Sequence, residues 1–249
     1  MACLLCIKTF HVMLISGFIK NSLIDYPGKI ASVIFTQGCN MRCKFCHNHE
    51  LIPINGSYSN YSEHEILYYL KKASGFIDAL VITGGEPSLQ SDLEDFIRSA
   101  KQLGVLVKLD TNGTHPKLLK KLIDEKLIDY VAMDIKHILD LSPYRELVGN
   151  QFSEHQLESV KESIALLKEA DIEVEFRTTL IQGSQSADDV RKICEHLHCS
   201  NLYSLQKFNP LQVLDPSFAK RSAFSDEEMF SLMESNKDIM PNIRIVNAD

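Results

Sequence analysis

The sequence predicts the α/β class, with parallel strands that alternate with helices along one chain. Two observations predict it. Short apolar, β-branched runs recur with a helically periodic segment after each, and the polar residues able to do chemistry sit just behind those runs rather than scattered between them. Six such repeats suggest a partial, TIM-like (β/α)6 barrel, with its working face at the C-terminal ends of the strands. Periodicity does not show whether the sheet edges close, so a doubly wound open sheet stays an alternative. A length of 249 residues suits one well-buried unit.

In chain order, the strands are expected at Lys29–Gln37 (KIASVIFTQ), Phe76–Thr83 (FIDALVIT), Val105–Asp110 (VLVKLD), Asp129–Ile135 (DYVAMDI), Ile172–Leu180 (IEVEFRTTL) and Leu202–Phe208 (LYSLQKF). Several are almost continuously apolar, as strands covered on both faces are. Between them, Leu93, Phe96, Ile97, Ala100 and Leu103 form one helical stripe, and Leu157, Val160, Ile164 and Leu167 another. Capping-box spacing marks helix starts at Ser62 with Glu65, Ser91 with Glu94, Ser153 with Gln156, and Ser225 with Glu228. A short last strand is expected at Ile243–Val246. The longest irregular piece is Ile52–Tyr61, and no linker divides the chain. Residues 1–12 read as a flexible leader carrying Cys3 and Cys6, with Met13 a candidate initiator, and residues 13–249 as a single domain.

Composition narrows the partners. Lys and Arg number 26 against 33 Asp and Glu, a net charge of −7, which offers no general attraction to nucleic acid or anionic lipid. No stretch approaches the roughly 20 apolar residues of a membrane span, and Lys8 and His11 interrupt the mildly apolar start, so a signal peptide is rejected. A cytoplasmic protein is expected. In a reducing compartment, 7 cysteines favour metal or catalytic roles over disulfides.

The motifs follow the strands in order: Cys39-Asn40-Met41-Arg42-Cys43-Lys44-Phe45-Cys46-His47-Asn48, then Thr83-Gly84-Gly85-Glu86-Pro87, Asp110-Thr111-Asn112-Gly113, Asp134-Ile135-Lys136, Arg177-Thr178-Thr179, and Gln206 through Pro210. Three cysteines on one loop can wrap a metal centre. Spacing alone leaves three readings: an iron–sulfur cube with one iron free of protein ligand, favoured here; a zinc completed by His47 or His49; and incidental core cysteines. The Gly-Gly-Glu-Pro turn reads as a strand-to-helix turn, whose glycines also admit a ligand and whose carboxylate could receive an ammonium group. Asp110 and Asp134 end neighbouring strands, where two buried carboxylates repel unless a cation or Lys136 lies between them. Cys194 and Cys199, near His196 and His198, read as a partly buried helix end rather than a second metal site.

These motifs resemble the radical S-adenosylmethionine superfamily, whose mark is the C-x-x-x-C-x-x-C loop with an aromatic before the last cysteine, here Phe45, followed by a GGEP turn. Ile15–Asn48, the DTNG and DIK segments, FRTTLIQG and LQKFNP look, more closely, like the activases of glycyl-radical enzymes, in particular the activating proteins of anaerobic ribonucleoside-triphosphate reductase. The resemblance implies that Cys39, Cys43 and Cys46 hold a 4Fe–4S cluster and that S-adenosyl-L-methionine binds its open iron. It implies cofactor contacts from Phe45, Gly84, Gly85, Glu86, Asp110, Thr111, Asp134, Lys136 and Arg177, with a monovalent cation beside Asp110, Thr111 and Asp134. It further implies a glycyl-radical enzyme as partner and a low-potential electron donor such as flavodoxin or ferredoxin. Asn209 stands where the pyruvate formate-lyase activase has a histidine, so the contact there is an open expectation. Two rivals remain: a radical enzyme acting on a small molecule, like 7-carboxy-7-deazaguanine synthase, and a zinc-stabilised binding module without turnover.

Overall fold

The computed structural model describes residues 13–53, 60–199 and 201–246. The expected leader with Cys3 and Cys6, and the middle of the irregular piece after Ile52, lie outside the described residues.

One sheet takes its strands in sequence order: β1 (Ile15–Ser22), β2 (Ala31–Thr36), β3 (Ala79–Gly84), β4 (Leu106–Thr111), β5 (Tyr130–Asp134), β6 (Glu173–Leu180), β7 (Leu202–Lys207) and β8 (Ile243–Val246). From β2 to β8 each strand is parallel to the next, while β1 runs antiparallel to β2. The crossovers carry α1 (Glu63–Lys72), α2 (Leu93–Lys101), α3 (Pro116–Asp124), α4 (Leu141–Val148) with α5 (Glu154–Lys168), α6 (Ala187–Leu197) and α7 (Asp226–Glu234). The six expected strands and the short last one are all present. The barrel is partial, with β1 and β8 as its two edges.

Alternation along the strands explains the nearly continuous apolar runs. Ile34, Leu80, Ile82, Leu109, Val131 and Met133 face outward and pack in one core with Phe96, Ile97, Leu122, Val160 and Ile164 from the helices. Ala31, Val33, Ala79, Val81, Tyr130 and Ala132 form a second cluster with Tyr26 from the β1–β2 connection. Three of those are alanines, as the narrow interior of a small barrel demands. Each large side chain on the apolar face of α2 stabilises the fold by about 1.5–3 kcal/mol on burial.

Ser62 with Glu65, Ser153 with Gln156, and Ser225 with Glu228 form the expected capping boxes. Ser91 with Glu94 does not. The N-cap of α2 is Asp92, without a side-chain cap bond, because the Glu94 carboxylate is drawn to Arg98 at 3.0 Å and Lys121 at 2.6 Å. An unforeseen box, Ser186 with Asp189, opens α6. Among the described residues no helix is long and apolar enough to cross a membrane.

Candidate active site

The C-terminal ends of β2 to β7 surround a cavity of about 280 Å³, near the lower end of the ~300–1,000 Å³ usual for small-molecule sites. Its wall includes Cys39, Phe45, Cys43 and Cys46 from the loop after β2, Gly84, Gly85 and Glu86 after β3, Asp110 and Thr111 of β4, Asp134 of β5 with Lys136 beyond it, and Arg177 of β6. Every expected site residue except Asn209 lines this one cavity. The Asn209 side chain instead accepts the Leu211 N–H at 3.0 Å within its own turn, and its carbonyl meets His47 Nε2 at 2.7 Å.

The cysteine loop is held from behind. The N–H groups of Arg42 and Lys44 donate to the carbonyls of Val148 and Leu147 at 2.8 and 2.9 Å, which satisfies acceptors left open at the end of α4. That clamp turns the flanking cysteines toward the cavity. Phe45 is buried, with Lys136 Nζ 5.5 Å from its ring centre. Burial pushes the Cys39 thiol up to about 12, despite the opposing Met41 N–H, and the Cys43 thiol up to about 11, despite Lys136. Cys46 is raised for the same reason.

The glycines of the next turn are required by the cysteine loop itself. Gly84 has φ +119°, and a Cβ there would lie 2.4 Å from the Thr36 nitrogen; a Cβ on Gly85 would lie 2.2 Å from the Gly38 carbonyl oxygen. The Gly85 and Glu86 N–H groups donate to Thr36 and Gly38 at 2.9 and 2.7 Å, so the turn and the loop are stitched backbone to backbone. Glu86 is 1% exposed. Its Oε1 accepts from Ser88 N–H at 3.1 Å, Ser88 Oγ at 2.5 Å and Thr111 Oγ1 at 2.8 Å, and its Oε2 from Asn112 N–H at 2.7 Å. The carboxylate expected to await an ammonium group is thus already engaged in fixing the turns after β3 and β4.

An alternating chain of charge crosses the cavity. Lys108 Nζ stands 3.1 Å from Asp110 Oδ1, Arg177 Nη1 3.3 Å from Asp110 Oδ2, Arg177 Nε 2.9 Å from Asp134 Oδ1, and Lys136 Nζ 2.8 Å from Asp134 Oδ2. The cation between the two carboxylates is therefore Arg177. Burial alone would raise the Asp134 carboxyl, but Arg177 and then Lys136 outweigh it and hold it at about 2; Arg177 and Lys108 likewise keep Asp110 below its ordinary value against burial. Below this chain, inside the barrel, Tyr130 donates to Glu175 at 3.0 Å and Arg244 reaches the same carboxylate at 2.8 Å.

Sequence reasoning missed Lys108, which sits inside an apolar strand and is 4% exposed, and gave no role to Thr83, Thr179 and Gln206, which its motifs contain and which also line the cavity. Period-two alternation would have found them, since Gln206, Arg177 and Thr179 share the inward face of their strands.

The donor set fits the groups the sequence implies. Among the described residues no His, Cys, Asp and Glu side chains gather about a point suited to a single metal ion. The three cysteines line one cavity, and three thiolates are the donor set of an iron–sulfur cube that keeps one iron open, whereas a structural zinc takes four protein ligands. For a ligand with ammonium and carboxylate groups, Lys136 lines the cavity paired with Asp134, and Asp110 lines it with its carboxylate held by Lys108 and Arg177.

The chain matches the radical SAM superfamily over residues 33–197. It is 36% identical over 241 residues to a protein of Methanocaldococcus jannaschii named as a glycyl-radical enzyme activating enzyme, covering 94% of this chain and 97% of that one. To the pyruvate formate-lyase-activating enzyme of Staphylococcus aureus it is 30% identical over 199 residues, 76% of each chain. Among solved structures, QueE from Escherichia coli superposes with a TM-score of 0.56 at 16% identity, covering 95% of this chain and 94% of that one. SuiB of Streptococcus suis, bound to S-adenosylmethionine, gives 0.65 at 16% identity over 87% of this chain and 50% of that one. At such identities the structural likeness speaks for the fold alone.

Proposed function

The chain belongs to the radical SAM superfamily and, within it, to the glycyl-radical enzyme activating enzymes, and from that premise we propose that it installs the glycyl radical of an anaerobic (class III) ribonucleoside-triphosphate reductase. Enzymes of this family use a 4Fe–4S cluster and S-adenosyl-L-methionine. The observation that carries the reading of the site is the single cavity shared by the three loop cysteines and the Lys108–Asp110–Arg177–Asp134–Lys136 chain. When bound, cluster and cofactor would supply one-electron reductive cleavage of the sulfonium and with it the power to remove a hydrogen atom from the partner's glycine.

The chain's own residues bind, orient and shield. Cys39, Cys43 and Cys46 hold the cluster as thiolates, so their raised thiols must give up protons on loading. Lys136, fixed against Asp134, offers its remaining N–H groups to the cofactor carboxylate. With the Glu86 carboxylate engaged by Ser88, Thr111 and Asn112, the backbone of Gly84 and Gly85 is the nearest remaining partner for the ammonium group. Arg177 bridges Asp110 and Asp134, and the monovalent cation that the resemblance implies would lie beside these carboxylates and Thr111. Phe45 and Met41 keep water from the loop side. No side chain is asked to act as a general base, because the hydrogen leaves the partner as an atom.

The choice of partner rests on the stretches Ile15–Asn48, FRTTLIQG and LQKFNP, and on Asn209 in place of a histidine. The test is anaerobic incubation with S-adenosylmethionine, reductant and either a class III reductase or pyruvate formate-lyase, read by electron spin resonance. A glycyl doublet on the reductase is expected; a doublet on the lyase alone would overturn the assignment of the partner.

A further inference from the structure

We propose that the outer face of the cysteine loop, together with the segment Asp215–Arg221, is the docking surface for an acidic one-electron carrier protein. The proposal rests on the reading of the loop as the cluster's seat. The chain as a whole is anionic, at −7, yet this face is not. Arg42 and Lys44 alternate with the inward cysteines, and Arg42 is exposed. Segment 215–221 is clipped onto the loop, its Asp215 N–H donating to the Lys44 carbonyl at 2.9 Å. It brings Lys220, exposed, and Arg221, half-buried.

The charges are placed rather than floating. Phe218 is 1% exposed. Lys44 Nζ lies 5.7 Å and Arg221 Cζ 4.1 Å from the centre of its ring. A buried aromatic thus anchors two cations beside each other by cation–π attraction. Like charges held together repel, and an approaching anionic surface relieves that repulsion. The loop and segment hold four cations against the one carboxylate of Asp215, which accepts the Ser217 N–H at 2.9 Å and feels Lys44 and Arg221, so these two stretches keep an excess of positive charge.

Position makes the surface useful. Cys43 is flanked in the chain by Arg42 and Lys44 and is itself buried, so a carrier seated on those two side chains is one residue layer from a thiolate of the cluster. The cavity on the other side of the loop is left to cofactor and substrate. In the step itself one electron leaves the carrier's two-electron-reduced flavin and is gained by the oxidised cluster; no bond forms or breaks, and no proton moves. Steering by opposite charge raises the encounter rate and falls with salt.

The test uses anaerobic holoprotein and a flavodoxin. At about 50 mM ionic strength, where the screening length is still above 10 Å, the Lys44→Glu, Lys220→Glu variant should bind oxidised flavodoxin, measured calorimetrically, about tenfold more weakly and accept electrons from reduced flavodoxin about tenfold more slowly. Added salt should erase the difference. Lys220→Glu alone, on an exposed side chain, should give part of the effect with no change in folding. Reduction by a photoexcited deazaflavin and binding of S-adenosylmethionine should be unchanged. Unaltered flavodoxin affinity and rate at low salt overturn the docking surface. A wild-type protein whose chromophore deazaflavin cannot reduce defeats the reading of the site instead, a distinct result.

Discussion

Replacing Arg177 by methionine removes the cation that bridges Asp110 and Asp134. Arg177 touches Asp134 Oδ1 at 2.9 Å and Asp110 Oδ2 at 3.3 Å, and its side chain is 16% exposed. Breaking a buried ion pair from one side costs about 3–5 kcal/mol, because the partner stays buried and charged. Here each carboxylate keeps one lysine, which places the expected loss at the low end, about 3 kcal/mol, against a total stability of about 5–15 kcal/mol. In the wild type, Asp134 is held at about 2, so its stabilising contribution is present above the ordinary carboxyl range and is lost as pH falls toward 2. In the variant burial is less opposed, the carboxyls rise, and protonation relieves the penalty. The gap between wild type and variant must therefore be widest near neutral pH and narrow on acidification. Urea unfolding of both proteins at about pH 7.5 and about pH 3, between the ordinary carboxyl value and about 2, measures it. Arg177→Lys should recover only part, since an ammonium lacks the fork that reaches both acids. An equal loss at both pH values, or a loss below about 1 kcal/mol at the higher one, would refute the charge-chain argument.

Gly85→Ala forces a methyl to 2.2 Å from the Gly38 oxygen and should cost upward of about 1–3 kcal/mol; a melting temperature within about 2 °C of wild type would mean the turn and loop can part. Glu86→Gln leaves the Asn112 N–H facing a donor or unpaired and should cost about 1–3 kcal/mol by thermal unfolding; a neutral result would show that the carboxylate is not the staple of the two turns. Because burial pushes the Cys39 and Cys43 thiols up to about 12 and about 11, iron–sulfide loading of the cluster-free chain should quicken steadily between about pH 7 and about pH 9, followed by visible absorbance. A rate that levels off by about pH 9, as thiols of ordinary pKa about 8.5 would give, would place them in a far less buried setting.

The parallel strands were legible because a strand covered on both faces is apolar at nearly every position, and the helices because Ser62, Ser153 and Ser225 carry reciprocal caps. β1 was not, because ISGFIKNS mixes polar residues with apolar ones on a half-exposed edge. Ser91 misled because spacing cannot tell that the Glu94 carboxylate prefers Arg98 and Lys121; Ser186 was overlooked because Asp189 replaces the usual Glu or Gln. The site's membership was visible in motif order. What each member does was less so: Glu86 looks like a ligand in sequence and proves to be engaged by Ser88, Thr111 and Asn112, while Lys108 reads as an interruption and proves to end the charge chain. Partners at long separation, such as Arg177 with Asp110, are set by strand register, which no local pattern encodes.

The most direct measurement is electron spin resonance of the reduced, anaerobically reconstituted protein before and after S-adenosylmethionine is added. A cluster held by three loop thiolates, with its fourth iron open, predicts a signal that changes on addition and that is lost in a Cys43→Ala protein. A colourless protein carrying zinc, or a cluster signal indifferent to S-adenosylmethionine, would contradict the account.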